Sequence, residues 1–376
     1  MKVAFDLTDL LPGQMGGVET YSIDLINELA KHHDVAAFTP HEYKKTYKDL
    51  SGQVNLHVFR TDLAAKLRRV SYRVAEAVCF QEPMRRYGPD IIHIPFQVVR
   101  HRFNIAPVVV SIMDIQHEYY PDYFAENELE SRRSSYLESI NSANHVIAIS
   151  HFTKQTLVEK LDIDPRKITV VHLSHDANLF DSAKPISKTL SLPPRYFFYP
   201  AATWPHKNHI RLLEAFSQYK KQHRDKDVKF VFTGVKKQES DPILNSIHKL
   251  GLDDQVVWLG HIERELLPQV YKYALGLVYP SEFEGFGIPL LEAMAIGCPV
   301  AASDCTSIPE VGGNAVKYFK PNQVSEIVSA LEALGSSSSE RTRLIESGIE
   351  RAKLFSPKKM AKETYKVYQK VLERKK

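Results

Sequence analysis

Cysteine is scarce in this chain: Cys79, Cys298 and Cys305 are the three thiols in 376 residues. An odd number without paired spacing excludes the usual zinc and CxxC redox patterns, so they read as reduced, structural thiols. Long apolar runs are also missing, and none nears the roughly 20 residues needed to cross a bilayer. The sixteen histidines include no H-E-x-x-H or comparable ligand spacing, so no metal centre is expected. The start, MKVAFDLTDLLPG, has one lysine and then a strand-like alternation carrying two aspartates, unlike a signal or transit peptide. A cytoplasmic location is the resulting expectation. No short-period repeat is present.

What remains is a globular composition, 43% hydrophobic and 25% charged, in a chain long enough for about two domains. The net charge of +4 is uneven. Residues 1–180 hold 20 Lys/Arg against 23 Asp/Glu, whereas the rest holds 29 against 22. The second half is therefore the natural place for an anion. Short β-rich runs (KVAFDL, VAAFT, VNLHVF, DIIHIP, PVVVSIMDI, HVIAIS, ITVVHL) alternate with amphipathic stretches at 18–31, 62–80, 126–142 and 151–160. That rhythm predicts a parallel sheet wrapped by helices. The polar, proline-bearing segment 179–194 reads as a linker. The same rhythm then restarts with YFFYPAA, VKFVFTG, VVWLG, LGLVYPS, PVAAS and AVKYF. The expected organisation is 1–178 as one α/β domain, 195–356 as a second, and 357–376 as a closing basic helix; GSSSSE at 335–340 reads as a break between helices.

In such sheets ligands bind beyond the carboxyl ends of strands, where helix N-termini offer free N–H groups. EFEGFGIPLLE, from Glu282 to Glu292, occupies that place after the strand LGLVYP. Gly285 and Gly287, flanking Phe286, let backbone N–H groups approach phosphate oxygens. Glu284 and Glu292 suit hydroxyl pairs, since a carboxylate accepts two charge-assisted bonds. A nucleotide sugar offers both parts, a diphosphate and two diols. A solvated surface position is the ordinary reading of an isolated glutamate pair; the glycines and apolar flanks argue against it here. In AATWPHKNH, Lys207 stands at the next such turn, with Asn208 placed to cap the following helix. A lysine there suits a diphosphate leaving group, although a lone lysine is more often a solvated one. Gly16 and Gly17 open the first helix without the dinucleotide-binding glycine pattern, and an ordinary tight turn is equally compatible. Asp114 and His117 follow a strongly β run, where a histidine can orient or relay a proton to a sugar hydroxyl or be simply structural.

Two signals carry less. Asp162-Ile-Asp164 has the form of a metal-binding Asp-x-Asp but precedes Pro165 after a helix, so it is read as non-metal. Arg60 to Gly88 carries seven Arg/Lys and three acids with Leu63, Leu67, Val70 and Val74 on one face. Such a helix can lie on anionic lipid or pack that face on its own sheet.

Taken together, Lys207, Glu284, the Gly-Phe-Gly turn and Glu292 resemble the donor-binding region of retaining glycosyltransferases of family four. Residues 256–313 carry the resemblance most closely, and the glutamates match that family's E-x7-E motif. The resemblance implies the GT-B fold, two Rossmann-like doubly wound domains facing each other across a cleft. It further implies that Lys207 contacts the donor diphosphate, Glu284 and the 285–287 amides the transferred sugar, and Glu292 the ribose. Gly16 and Gly17 would face the phosphates from the other lobe. Many relatives have an arginine a few residues before the lysine; here the corresponding run is PAATWP, leaving Thr203 or backbone N–H groups as helpers. Many also have histidine where this chain has Met113, which makes His117 the substitute. The implied activity is hexosyl transfer from a GDP- or UDP-sugar, GDP-mannose preferred, to a glycan or lipid-linked acceptor in surface polysaccharide synthesis. No cofactor, metal or nucleic-acid partner is expected, and peripheral contact with the inner membrane face through 60–86 is left open. The alternatives are a sugar-phosphate synthase or nucleotide-sugar epimerase of the same fold, or a silent nucleotide-sugar-binding partner.

Overall fold

The computed structural model describes residues 1–376 except 12–15, 45–46, 48–49, 60–76, 102, 178, 183–189, 224–226, 235–239, 337–338 and 375–376. The chain divides into two compact units, Met1–Ser174 with Pro357–Lys376, and His175–Ser356. The described residues of the polar segment 179–194 fall within the second. Its Leu190 backbone is bonded in both directions by the side-chain amide of Gln269.

The first unit is built on seven parallel strands: β1 (Lys2–Asp6), β2 (Asp34–Pro40), β3 (Asn55–Phe59), β4 (Ile91–Ile94), β5 (Val108–Ile112), β6 (His145–Ala148) and β7 (Ile168–Val170). Their order is β3-β2-β1-β4-β5-β6-β7. Strands β4, β5 and β6 are buried along their whole length. Their β-branched runs lack polar alternation because helices cover both faces of such a sheet. Helices Gly17–Ala30, Glu126–Ser142 and His151–Leu161 lie close to the expected spans. The expected helix at 62–80 lies mostly outside the described residues. Its described end, Ala77–Gln81, is π-helical and leads into the helix Glu82–Tyr87. Phe80 and Cys79 there pack against Phe59.

The second unit repeats the plan with β8 (Tyr196–Pro200), β9 (Lys229–Thr233), β10 (Val256–Trp258), β11 (Gly276–Tyr279), β12 (Val300–Ser303) and β13 (Val316–Phe319). The order is β10-β9-β8-β11-β12-β13, again all parallel. Both sheets reverse direction of growth at one point, between β1 and β4 and between β8 and β11. That switch point opens a crevice at the strands' carboxyl ends. Among the described residues no helix is long and apolar enough to cross a membrane.

The closing helix, Pro357–Glu373, belongs to the first unit and buries Met360, Val367, Tyr368 and Val371 there. Tyr365 stacks on His33, with ring centroids 4.4 Å apart. The Tyr368 hydroxyl sits 2.6 Å from His93 Nδ1, whose Nε2 lies 2.8 Å from Ser111 Oγ, itself 2.8 Å from the Tyr21 hydroxyl. This buried chain of polar groups ties the helix to β4, β5 and the first helix. Burial pulls the His93 pKa down to about 3, so the imidazole is neutral.

Tyr368→Phe should therefore lower the unfolding free energy of the first unit by about 1–3 kcal/mol, the cost of a buried nitrogen left unpaired. Urea denaturation at neutral pH measures it; an unchanged midpoint would remove the hydroxyl from the account of that docking. A histidine that titrates lower folded than unfolded takes protons first in the unfolded chain. Stability should accordingly fall as pH drops from about 6.5 towards 4, with a shallower fall in His93→Asn.

Candidate active site

The second unit's crevice is assembled by its backbone before any side chain reaches into it. After β8 the chain makes a short 3-10 turn, Pro205–Lys207, and Asn208 takes a left-handed conformation (φ 59°) to start the helix His209–His223. After β11 it runs through Ser281–Gly287 into the helix Ile288–Ala295. The two loops are joined directly: Glu282 N donates to His206 O at 2.8 Å, and Asn208 Nδ2 donates to Pro280 O at 3.1 Å and to Pro321 O at 2.8 Å. Asn208 Oδ1 accepts from Arg211, so this side chain clamps the loops in place of the expected helix cap. Beneath them the buried Tyr199 hydroxyl donates to Lys207 O at 2.8 Å and lies 3.0 Å from Ser281 Oγ. Ser307 Oγ lies 2.9 Å from Glu284 O and 3.0 Å from Phe286 O. Gly287 has φ 106°, a turn that a side chain would strain, and Phe286 is buried against Phe355.

On this frame Lys207 Nζ meets Glu284 Oε1 at 2.5 Å, and the Tyr279 hydroxyl donates to the same oxygen at 2.7 Å. Burial pushes the Glu284 carboxyl up, but the Lys207 ammonium, the nearby His206 and the bonds from Lys207 and Tyr279 outweigh it and hold it below its ordinary value. Glu292, in the Ile288–Ala295 helix, is buried and accepts from the Tyr271 hydroxyl at 2.8 Å. Burial dominates there and raises its pKa. Each glutamate is thus fixed through one oxygen by a tyrosine. The second oxygen of each has no hydrogen bond among the described residues. Arg264, in a turn after β10, adds positive charge near Glu292 and lies 3.6 Å from Asp176.

Tyr271, Tyr279, His206 and Arg264 did not stand out in the sequence. The tyrosines sit in apolar helix and strand segments where they read as core. Burial, with the Lys207 charge beside it, brings the His206 pKa down to about 3. Thr203 is buried at the end of the β8 loop.

In the first unit Gly16 and Gly17 are exposed at the start of the first helix, with Gly16 at φ 45° and its carbonyl accepting from Glu19 N and Thr20 N. Asp114, after β5, accepts from Gln116 N at 3.0 Å. His117 is 2% exposed, edge-on to Tyr136 at 4.8 Å. Burial lowers its pKa. Its Nε2 has no hydrogen bond among the described residues and lies 3.6 Å from a Glu118 oxygen. Thr153 Oγ1 donates to Met113 O at 3.2 Å. A cavity of about 210 Å³ opens between β2 and β3, the segment 79–84, and His101 and Phe103. Asp162 and Asp164 are used locally: Asp162 ends a helix at φ 52°, and Asp164 accepts from Arg166 N at 2.8 Å and pairs with its guanidinium.

Residues 183–351 match the family Glycosyl transferases group 1, and residues 15–179 match Glycosyltransferase Family 4. This chain belongs to the family-four glycosyltransferases. The glycosyltransferase is 26% identical to O-antigen chain mannosyltransferase B of Escherichia coli, over 98% of this chain and 99% of that protein. It is 30% identical to O-antigen chain mannosyltransferase RfbU of Salmonella typhimurium, over 59% of each. Its fold matches the crystal structure of Anabaena HepE in complex with UDP and glucose at a TM-score of 0.77 and 17% identity, covering 98% of this chain and 100% of that one. The glycosyltransferase thus has the GT-B type of architecture, two Rossmann-like parallel-sheet domains.

With side chains only 17% and 12% exposed, the Lys207–Glu284 pair leaves a poorly solvated charge when one partner is removed. Lys207→Met should destabilise the second unit by about 3–5 kcal/mol at pH 7, and adding Glu284→Gln should recover more than half. A carboxyl that titrates lower in the folded chain stabilises it above the unfolded pKa and loses that as pH falls through the folded one. The gap between wild type and Lys207→Met should close below the ordinary carboxylate range. Additive losses in the double-mutant cycle would mean that the two residues are not coupled.

Proposed function

We propose that this glycosyltransferase transfers a hexose from a nucleoside diphosphate sugar to a hydroxyl of a glycan or lipid-linked acceptor in surface polysaccharide synthesis, with retention of anomeric configuration. GDP-mannose is the preferred donor, in keeping with the names of the O-antigen mannosyltransferases it resembles. The observation that carries the reading is the Lys207–Glu284 contact at the β8/β11 switch point, a cation and a hydroxyl acceptor held together where an open sheet takes its ligand.

In this reading the donor diphosphate takes Lys207 Nζ away from Glu284 and lies against the N–H groups of Gly285, Phe286 and Gly287 at the helix start. Glu284, still held by Tyr279, then accepts hydroxyls of the transferred sugar, and Glu292, held by Tyr271, accepts those of the ribose. Thr203 adds a donor beside the diphosphate. Departure of the diphosphate and attack by the acceptor hydroxyl occur on the same face through an oxocarbenium-like state, the sugar–phosphate C–O bond breaking as the new C–O bond forms and the hydroxyl proton passing to the departing phosphate oxygen. No side-chain nucleophile is needed; catalysis rests on positioning and on fixed positive groups that stabilise the leaving diphosphate. Asp114 and His117 orient the reacting hydroxyls, and the cavity of the first unit receives part of the acceptor. Exclusion of water keeps the acceptor ahead of hydrolysis.

With purified protein and a radiolabelled donor, Glu284→Ala should lower turnover at saturating donor by about 100-fold or more, the scale of losing one transition-state contact. Glu292→Ala should chiefly weaken donor binding, by about tenfold, the scale of one charge-assisted bond. Activity should persist in EDTA, and NMR of the first-formed product should report the donor's anomeric configuration. Unchanged rate and affinity in both variants would overturn the site, and an inverted product would overturn the mechanism.

A further inference from the structure

A second concavity of about 440 Å³ lies within the second unit against the start of the Pro205–Lys207 turn. Its wall includes Trp204, Ile210, Arg211, Glu214, Ile243 and Glu282. Apart from Thr203, which also lines it, no side chain of the recess enters the proposed donor chemistry. Trp204 and Ile210 on this wall are each 43% exposed, unusual for large apolar residues. Arg211 Nη1 donates to Glu282 Oε1 at 2.8 Å and to Asn208 Oδ1 at 3.0 Å, which fixes one charged edge of the recess. Glu214, one helical turn on from Ile210, is exposed on the same wall. The floor is rigid: His209 is buried in a parallel stack with Trp258 and edge-on to Phe232.

An aromatic face bordered by carboxylates and a guanidinium fits one ligand class particularly well. A pyranose has an apolar C–H face that an indole ring covers, and a rim of hydroxyls that donate to carboxylates and accept from guanidinium. The volume lies in the range of small-ligand sites, about 300–1,000 Å³, and so admits one or two sugar rings. We infer that this recess is a carbohydrate subsite, in which Trp204 stacks on a sugar ring of a neutral glycan while Arg211, Glu214 and Glu282 bind its hydroxyls. Trp204 is three residues from Lys207, and Thr203, placed beside the donor diphosphate above, also borders the recess, so a glycan seated here adjoins the proposed donor site. The inference rests on the reading of the chain as a transferase to glycans for its biological sense, though not for its chemistry.

The protein contains two tryptophans, and the other, Trp258, donates its indole N–H to Gly234 O at 3.3 Å in the interior wall. Intrinsic fluorescence therefore offers a local readout. The full-length Trp258→Phe variant, checked by circular dichroism, would be titrated with mannotriose, maltotriose, N,N′-diacetylchitobiose and, separately, UDP and GDP. The expected result is a saturable quench or blue shift with at least one oligosaccharide and none with either nucleotide. In the wild-type background, Trp204→Ala should weaken that oligosaccharide's binding at least tenfold by calorimetry, Trp204→Tyr should retain most of it, and Arg211→Gln should weaken it by an intermediate factor. Nucleoside diphosphate affinity, measured in the same proteins, should not change in Trp204→Ala. No saturable response to any of the sugars would overturn the subsite. So would a response to nucleotide alone, or an equal loss of nucleotide and sugar binding in Trp204→Ala, since the recess would then be part of the donor site. Failure of nucleotide binding in the wild type, with sugar binding intact, would count against the donor assignment and leave the subsite standing.

Discussion

The second unit depends on one constraint: two loops from strands adjacent in space but far apart in sequence must keep a lysine and a glutamate in contact. Coulomb attraction between the pair does not achieve this alone, because removing both groups from water costs several kcal/mol each. The cost is offset by a frame that is already in place. Tyr199 holds the Lys207 carbonyl from below, Glu282 N bonds His206 O, and Asn208 ties the same turn to the carbonyls of Pro280 and Pro321. With the backbone fixed, the side chains lose little further freedom on pairing, and Tyr279 supplies an extra bond to the shared oxygen. The strand order sets the frame in turn, since only the β8/β11 crossover brings these two loops together.

The two glutamates differ in state for the same geometrical reason. Glu284 has a full positive charge against it and is held ionised. Glu292 has the neutral Tyr271 hydroxyl as its hydrogen-bond donor, with Arg264 near enough to be felt but not bonded, so burial prevails. A single sequence motif therefore contains two carboxyls with opposite shifts.

Much of this was legible in the sequence. The strands could be read because parallel strands covered on both faces become nearly continuous apolar runs, such as VVVSI and VAAS. The helices at 126–142 and 151–160 could be read from their period. The glutamate pair, the Gly-Phe-Gly turn and Lys207 were visible as polar residues interrupting such runs at strand ends. Hidden were the groups whose role depends on where they point. Tyr271 and Tyr279 look like core residues until their hydroxyls are placed, and Asn208 looks like a cap until its amide is found bonded across the crevice. Trp204 reads as one more apolar residue in PAATWP, because a one-dimensional pattern does not distinguish an indole facing water from one facing the core.

The return of the last helix to the first unit has a consequence for biosynthesis. During translation the segment for the second unit leaves the ribosome before the helix that completes the first. Domains tend to fold as units in the order in which they emerge, yet here the first sheet must wait through the whole of the second. Until Tyr368 arrives, His93 Nδ1 has no partner and the surface that will receive Met360 and Val371 stays open to solvent. The nascent chain thus carries an unfinished apolar face for the time needed to make some two hundred residues, and that interval is when chaperones or neighbouring chains have access to it.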